Sequence, residues 1–292
     1  MTHFSVIAAP SILGLKPSGV EMLPDALKQS GLIEGLQAGD GGRLEAPPYN
    51  PERDTSTLLL NPHSIRAFSF QLAEKVAEVR SKGRFPVVLG GDCSILIGCM
   101  LALRRLGQYG LFFIDGHADF YQPQAEPNGE VASMELALVS GRGPDVLADL
   151  DGLKPLVQDE DIVAFGYRDT EEQRAHGSQD IRETAIHTFD LAQVRALGSA
   201  TAAQQALERL QKNQLDGFWI HLDADVLDDG LMPAVDYRLP GGLQWDELSA
   251  LLRILMASGQ AVGITVTIFN PRLDPDGSIA HAFTRSIVAG LS

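Results

Sequence analysis

The sequence is poor in cysteine and in positive charge, and both shortages exclude classes of protein. It contains two cysteines in 292 residues, and 23 Lys and Arg stand against 38 Asp and Glu, for a formal net charge of −15. Such an acidic chain is unsuited to nucleic acid or to an anionic membrane surface. If Cys93 and Cys99 lie on one helix, about 9 Å of rise separates them and they face different sides, so we expect no disulfide.

The sequence also lacks the marks of membrane insertion and export. No run of 18 apolar residues occurs, and the N-terminal apolar stretch has no basic segment before it and is interrupted by Pro10. We therefore expect no membrane-spanning helix, no secretory signal and, with so few cysteines, a cytoplasmic location. No linker, repeat or change of composition divides the chain, so we predict one domain over residues 1–292.

Short apolar runs alternate with helical patterns along the chain. Buried strands are predicted at 5–12, 85–89, 109–115, 161–165, 186–189, 217–223 and 261–269. Helices are predicted at 24–35, 61–81, 95–106, 201–213, 246–257 and 278–291. The segment 39–53, rich in glycine, proline and charge, predicts a loop. Alternating strands and helices are typical of parallel βαβ units, so we predict an α/β fold with three αβα layers.

The predicted strand at 109–115 runs directly into metal-binding residue types. Residues 111–119 read LFFIDGHAD. Side chains two apart share a face of a strand, so Asp115, His117 and Asp119 would point the same way if the extended backbone continues. They would lie at the carboxyl end of the strand, where open α/β sheets form their ligand sites. Three such groups on one side are costly without a cation between them.

A second strand repeats this arrangement. Residues 217–225 read GFWIHLDAD, which places Asp223 and Asp225 on one face with His221 one step deeper. A lone Asp after a strand is most often a helix cap or turn residue, but two strands that end this way favour a metal site. Four carboxylates and one imidazole suit hard or borderline divalent ions such as manganese. Bridging carboxylates can hold two such ions roughly 3.5–4 Å apart.

Four motifs in this order resemble the signatures of the arginase/agmatinase (ureohydrolase) family. They are GGDCS at 90–94, DGHAD at 115–119, DADVLD at 223–228 and GG at 241–242, and Asn270-Pro271 resembles a late Asn-Pro of that family. The resemblance covers nearly the whole chain from about Ser5. It implies a parallel, roughly eight-stranded sheet, a dinuclear manganese centre, and hydrolysis of a guanidino or amidino C–N bond by a metal-bridging hydroxide.

The resemblance also assigns roles by position. Asp115 and Asp223 would bridge the two ions. Cys93 and Asp119 would complete the shell of one ion, and His117 and Asp225 that of the other. Asp119 would orient the hydroxide, so Asp115, Asp119 and Asp223 are the expected catalytic residues.

The sequence departs from the family pattern at one metal-ligand position and at positions that contact the substrate in that family. Cys93 stands where the family usually has His, and a thiolate favours nickel, zinc or iron over manganese. Ile268 replaces a Glu that grips the guanidinium group, and Ala132 replaces a loop His that transfers protons. The motifs for metal binding therefore match, whereas those for an arginase-like substrate do not.

Other residues are candidates for the substrate end. They are Tyr121, Glu135, Glu171 and Asp236. Of these, Glu171 matches a family Asp at the amino end of the substrate, and Tyr121 would either stack on a planar substrate or pack in the wall. We interpret Glu130 as a solvated loop charge, and Arg168 and Asp169 as a structural pair at a strand end.

Two functions remain open from the sequence. The first is a hydrolase acting on a small guanidino or amidino compound, such as arginine, N-hydroxyarginine, agmatine or a small guanidine. The second is a weakly active or non-catalytic metal-binding subunit that pairs with an active paralogue, for which Cys93, Ile268 and Ala132 argue. The family resemblance further implies a homo-oligomer, a trimer or a hexamer.

Overall fold

The computed structural model describes residues 2–292, and in them eight strands form one parallel sheet. The strands are β1 (Phe4–Ala9), β2 (Gly39–Arg43), β3 (Phe85–Gly90), β4 (Gly110–Ile114), β5 (Ile162–Phe165), β6 (His187–Phe189), β7 (Phe218–Asp223) and β8 (Ala261–Thr267). Their spatial order is β2-β1-β3-β8-β7-β4-β5-β6, and every neighbouring pair is parallel. The predicted α/β class and the eight-stranded sheet are confirmed.

Helices cover both faces of this sheet. They are α1 (Leu23–Gln29), α2 (Leu32–Leu36), α3 (Pro62–Ser81), α4 (Leu96–Arg104), α5 (Glu135–Val139), α6 (Asp145–Ala148), α7 (Thr170–Ala175), α8 (Leu191–Leu197), α9 (Ser199–Gln211), α10 (Trp245–Ala257) and α11 (Ser278–Leu291). Among residues 2–292, no helix combines the length and the apolar character needed to cross a bilayer.

The two faces of the sheet carry separate cores. Phe112 packs in one core with residues of α1, α2, α9, α10 and α11, whereas its neighbour Phe113 packs in the other with residues of α3, α4, α5 and α6. Successive side chains of a strand point to opposite faces, so a strand covered on both sides must be apolar throughout. This explains why the central strands are apolar runs rather than alternating patterns.

The edge strand β2 differs from the predicted loop at 39–53. Its sequence, GDGGR, has low strand propensity and no apolar face. The strand forms because its backbone pairs in parallel with β1, with Ser5 opposite Gly39 and Ala8 opposite Arg43. A pairing partner distant in sequence therefore decided the conformation of this segment.

The central strands bring the predicted motifs to one edge. In the spatial order, β3, β8, β7 and β4 are consecutive neighbours. Parallel strands end at the same edge of a sheet, so the residues that follow them lie side by side. Cys93 follows β3, Thr267 ends β8, Asp223 ends β7 and Asp115 follows β4.

Candidate metal centre and substrate pocket

Asp115 and Asp223 are fixed by the ends of two paired strands. The Asp115 amide donates to the Phe165 carbonyl oxygen on β5 (3.1 Å), and Asp115 Oδ1 accepts the amide of His117 (2.7 Å). Asp223 Oδ1 accepts the amide of Asp225 in the same way (2.8 Å). Each carboxylate thus keeps one oxygen engaged with its own backbone turn, which leaves the other oxygen to face the cluster.

Cys93 enters the cluster from a tight turn after β3. A Cβ atom on Gly91 would lie 1.8 Å from the Ser11 carbonyl oxygen, so only glycine allows this approach. Cys93 Sγ is fully buried, 2.9 Å from Asp223 Oδ2 and 3.0 Å from Thr267 Oγ1. Burial first, and the charge of Asp223 second, raise the pKa of the Cys93 thiol well above its usual range.

The second half of the DGHAD motif does not continue the strand, as the alternation argument assumed. Strand β4 ends at Ile114, and Asp119 has a left-handed backbone with φ of 42°. Asp tolerates this conformation better than most residues. The side chains converge because the loop turns back over the strand end, not because extended backbone alternates.

The predicted ligands form three overlapping groups that share Asp115. Atoms able to bind a metal lie within 4.8 Å of one another in each group. One group contains Cys93, Asp115 and Asp119 together with Glu135, and another contains Asp115, His117 and Asp225. Asp223 joins Cys93, Asp115 and His221 in a further overlapping set. We name the six predicted ligands the metal floor: Cys93, Asp115, His117, Asp119, Asp223 and Asp225.

The electrostatics of the metal floor favour bound cations. Burial, followed by repulsion between the carboxylates, raises the pKa of Asp115, Asp119 and Asp223 well above the usual range. Asp115 Oδ2 is buried without a hydrogen-bond partner among residues 2–292. Carboxylates crowded out of water need compensating positive charge, which divalent ions supply. The donor set therefore fits two hard or borderline divalent cations.

His117 and Asp225 hold one another at the other end of the floor. His117 Nδ1 lies 2.9 Å from Asp225 Oδ2. Burial is the largest single influence and opposes charging the imidazole, but Asp225, Asp169 and Asp223 together outweigh it and raise the pKa of His117 to about 9. Gly116 completes the contact, because its amide donates to Asp225 Oδ1 (3.0 Å) and a Cβ there would meet the Asp225 carbonyl oxygen at 2.6 Å. Metal binding would release the proton that this pair shares.

A pocket opens above the metal floor. Its lining includes His117, Asp119, Asp223 and Asp225 of the floor, together with the side chains that we name the outer wall: Tyr121, Glu126, Glu130, Glu172, His176 and Tyr237. The Tyr121 hydroxyl lies 3.1 Å from His176 Nδ1. Tyr121 therefore lies where the sequence predicted, whereas Glu126, Glu172, His176 and Tyr237 were not predicted.

Glu130 is part of the outer wall and not the solvated loop charge that the sequence indicated. It is 5% exposed, and its Oε2 accepts a hydrogen bond from the Tyr237 hydroxyl (2.7 Å). Burial raises the pKa of Glu130, although the Tyr237 hydrogen bond and Lys16 oppose that shift. The partner Tyr237 lies 107 residues further along the chain, so no local pattern of the sequence indicated this contact.

Two predicted substrate residues, Glu171 and Asp236, lie outside the pocket. The Glu171 side chain is 82% exposed and pairs with Arg174 on the outer face of α7. The Asp236 carboxylate accepts hydrogen bonds from Ser18 and Asn270, which tie three loops together. In both cases the next residue, Glu172 or Tyr237, lines the pocket instead. The predicted loops were therefore the right ones, but in each loop the side chain that faces the pocket is one position further along the chain.

Glu135, the remaining predicted substrate residue, lies beneath the pocket rather than in its lining. It is fully buried beside the metal floor. His221 faces the same place, stacked on Phe113 with 4.8 Å between ring centroids, and its Nδ1 lies 2.8 Å from Thr265 Oγ1. The sequence placed His221 one step below the carboxylates, which matches its position here.

Arg168 and Asp169 were expected to pair with each other, but each has other partners. Arg168 Nη2 donates to the carbonyl oxygens of Asp225 (2.9 Å) and Leu239 (3.1 Å). Asp169 accepts the amide of Ala118 (3.0 Å) and the side chain of Gln173. Both residues therefore hold the loops that carry the metal floor.

Ala132 and Ile268 both line the pocket, at the positions where the sequence departs from the family pattern. Ile268 has a left-handed backbone with φ of 69°, and its amide donates to the Gly91 carbonyl oxygen (2.9 Å). A β-branched residue is rare in this conformation. The backbone turn at Ile268 is therefore held by its surroundings and places an apolar side chain against the reaction space.

A family-wide sequence profile described as "Arginase family" matches residues 2–291. The arginase of Bacillus subtilis (strain 168) is 31% identical over 278 residues, which cover 92% of this chain and 91% of that protein. The arginase of Staphylococcus aureus (strain COL) is 30% identical over 284 residues, covering 94% of this chain and 92% of that protein.

A solved structure agrees with these sequence matches. The arginase from Bacillus caldovelox superimposes with a TM-score of 0.91 at 28% identity, covering 100% of this chain and 99% of that chain. The similarity therefore extends over the whole fold, including every strand end that contributes to the metal floor.

Proposed function

This chain belongs to the arginase family of hydrolases, which act on C–N bonds of linear amidines, and we propose that it is a ureohydrolase with a binuclear metal centre. The observation that carries the proposal is the convergence of six ligand side chains, from strand ends far apart in sequence, at the base of one pocket. Asp115 and Asp223 would hold the two ions together with Cys93, Asp119, His117 and Asp225.

The residues that line the pocket would have different roles in the hydrolysis of the substrate. Two divalent cations held by the metal floor would supply Lewis acidity and make water nucleophilic near neutral pH. Asp119 presents its carboxylate to the pocket. Burial raises its pKa, so Asp119 is suited to take a proton from the attacking water and to give one to the departing amine. Ile268 and Ala132 offer only apolar contacts to the substrate.

The charge of the pocket lining favours a particular kind of substrate. The lining contains the carboxylates of Asp119, Glu126, Glu130, Asp169, Glu172, Asp223 and Asp225, and no Lys or Arg among residues 2–292 contributes to it. A substrate that carried its own carboxylate to the outer wall would be repelled. We therefore propose a guanidino or amidino compound whose remaining part is cationic or neutral.

Agmatine and arginine test this proposal because they differ only by the carboxylate. We expect hydrolysis of agmatine with manganese, nickel or zinc, and a kcat/KM for agmatine at least about 10-fold above that for arginine, since like-charge contact costs on the order of 1–2 kcal/mol. Release of urea and of the amine would be followed after reconstitution with each metal. A screen of small guanidines extends the comparison if both compounds react slowly.

Metal content decides how a negative result is interpreted. Protein purified without chelator would be analysed by inductively coupled plasma mass spectrometry before the assay. Two bound ions per chain without turnover of any guanidine would contradict an enzymatic role and favour the regulatory subunit. A higher kcat/KM for arginine would leave the hydrolase in place but contradict the proposed substrate charge.

A further inference from the structure

One carboxylate beside the metal floor faces only another acid, and it lies outside the pocket lining in which the sequence predicted it. Glu135 is the first residue of α5, and its side chain is fully buried. Neither of its carboxylate oxygens accepts a hydrogen bond from a basic or neutral donor among residues 2–292, and the polar group that it faces is the Asp119 carboxyl. Burying a carboxylate in this state costs several kcal/mol, which a folded protein rarely leaves uncompensated.

The side chains around Glu135 do not compensate its charge. Within 4.0 Å of the Glu135 carboxylate, the only basic side chain of the described residues is His221, whose Nε2 lies 4.0 Å from Oε1. That distance is too long for a hydrogen bond. His221 Nε2 is itself buried without a hydrogen-bond partner among residues 2–292, so this side chain does not bind the Glu135 carboxylate.

The position of Glu135 relative to the metal floor points to a cation. One oxygen of Glu135 lies within 4.8 Å of ligand atoms of Cys93, Asp115 and Asp119, and those three atoms lie within 4.8 Å of one another. Four atoms in such a set can surround one divalent ion with little movement of the side chains. Glu135 belongs to α5, whereas Cys93 and Asp115 follow the ends of β3 and β4.

We propose that Glu135 is a direct ligand of the ion at the Cys93 end of the centre, in a set with Cys93, Asp115 and Asp119. This inference rests on the metal centre proposed above and adds a ligand to it. A further hard oxygen offsets the soft sulfur of Cys93, so this end of the centre keeps an affinity for manganese that a thiol-containing set would otherwise lose.

A purely structural role predicts different behaviour. If Glu135 served only as a protonated partner of the Asp119 carboxylate, a glutamine would replace it, because its amide donates a hydrogen bond from the same place. A glutamine cannot supply an anionic oxygen to a metal. The variant Glu135→Gln therefore separates the two roles, and Glu135→Asp tests them again with a carboxylate withdrawn by one methylene.

Manganese binding to the apoprotein gives a readout that does not depend on activity. We expect wild type to bind two ions by isothermal titration calorimetry and by electron paramagnetic resonance of Mn²⁺. Glu135→Gln should bind one of them at least about 100-fold more weakly, because loss of an outer-shell partner alone costs 10–100-fold. Glu135→Asp should fall between wild type and Glu135→Gln.

Glu126→Gln is the matched control for metal content. Glu126 is also a buried glutamate, but its carboxylate accepts the backbone amides of Gly129 and Glu130 and lies outside the ligand sets. This variant should bind two ions like wild type. Circular dichroism would establish that each variant is folded, and if Glu135→Gln is not, the affinity of Glu135→Asp decides.

The outcomes separate this inference from the proposed function. Two ions in Glu135→Gln with wild-type affinity would overturn the role of Glu135 and leave the binuclear hydrolase standing, as would unchanged binding in Glu135→Asp when Glu135→Gln does not fold. Wild type that binds no manganese, nickel or zinc would overturn both. Selective loss of one ion in Glu135→Gln, with two retained in Glu126→Gln, would support both.

Discussion

The metal floor and the outer wall of one pocket are built by different means. The side chains of the floor come from strand ends and from turns fixed to them, so backbone pairing sets their positions. The outer wall comes from loops and from the start and end of short α7, and its members meet through side-chain contacts such as Tyr237 with Glu130. The floor therefore follows from the fold, whereas the wall follows from the particular side chains of this chain.

This difference predicts how sensitive each region is to substitution. A residue of the metal floor would bind a metal ion, and we expect no neighbouring residue to replace it. A residue of the outer wall would affect only the affinity for one part of the substrate.

Substitution of a carboxylate that is proposed to hold both ions should have the largest effect. We expect Asp223→Asn to lower kcat/KM by at least about 1,000-fold and to reduce metal content, because the amide cannot bridge two cations. Activity and bound metal would be measured on the same preparation. Wild-type activity in Asp223→Asn would show that the floor is no more critical than the wall and would break the comparison.

Removal of the thiol should change metal preference more than fold. Cys93→Ser keeps the size of the side chain but replaces soft sulfur with hard oxygen. We expect zinc and nickel to bind about 100-fold more weakly, with a smaller change for manganese. Competition titrations with the three metals give this ratio, and equal weakening of all three would mean that Cys93 is not a ligand.

Neutralisation of the wall should affect substrate binding alone. Glu130→Gln keeps the contact with Tyr237 but removes a charge that faces the pocket. We expect KM for a cationic substrate to rise about 10-fold, consistent with one charge-assisted hydrogen bond, with metal content unchanged. Steady-state kinetics on agmatine and metal analysis test this together. Loss of metal in Glu130→Gln would mean that floor and wall are not independent.

The strand ends could be predicted from sequence because their signal is local. An apolar run of fixed length followed by acids, as at Phe112 and Asp115, records both burial and the end of the strand within nine residues. The edge strand β2 could not be predicted, because its glycines carry no pattern and only pairing with β1 defines it. The burial of Glu130 could not be predicted for the same reason, because its hydrogen-bond partner lies more than a hundred positions away.

Near misses at the outer wall have a related cause. Glu171 and Asp236 were predicted to face the substrate, but Glu172 and Tyr237 are the residues of these two loops that line the pocket. A family resemblance indicates which loop passes beside the pocket. The direction of each side chain in that loop depends on one or two dihedral angles that cannot be inferred from the sequence. Such a resemblance therefore predicts the path of the backbone better than the direction of individual side chains.

Local patterns of the sequence predicted the α/β class and five side chains of the metal floor, because apolar runs and adjacent acids have few physical explanations, and the family resemblance predicted Cys93. The burial of Glu135 beneath the floor, the burial of Glu130 and the left-handed turn at Ile268 in the pocket lining became evident only in the folded structure. These features depend on contacts between segments far apart in the chain. They are stabilised by the packing of the whole fold and not by the conformational preference of any one segment.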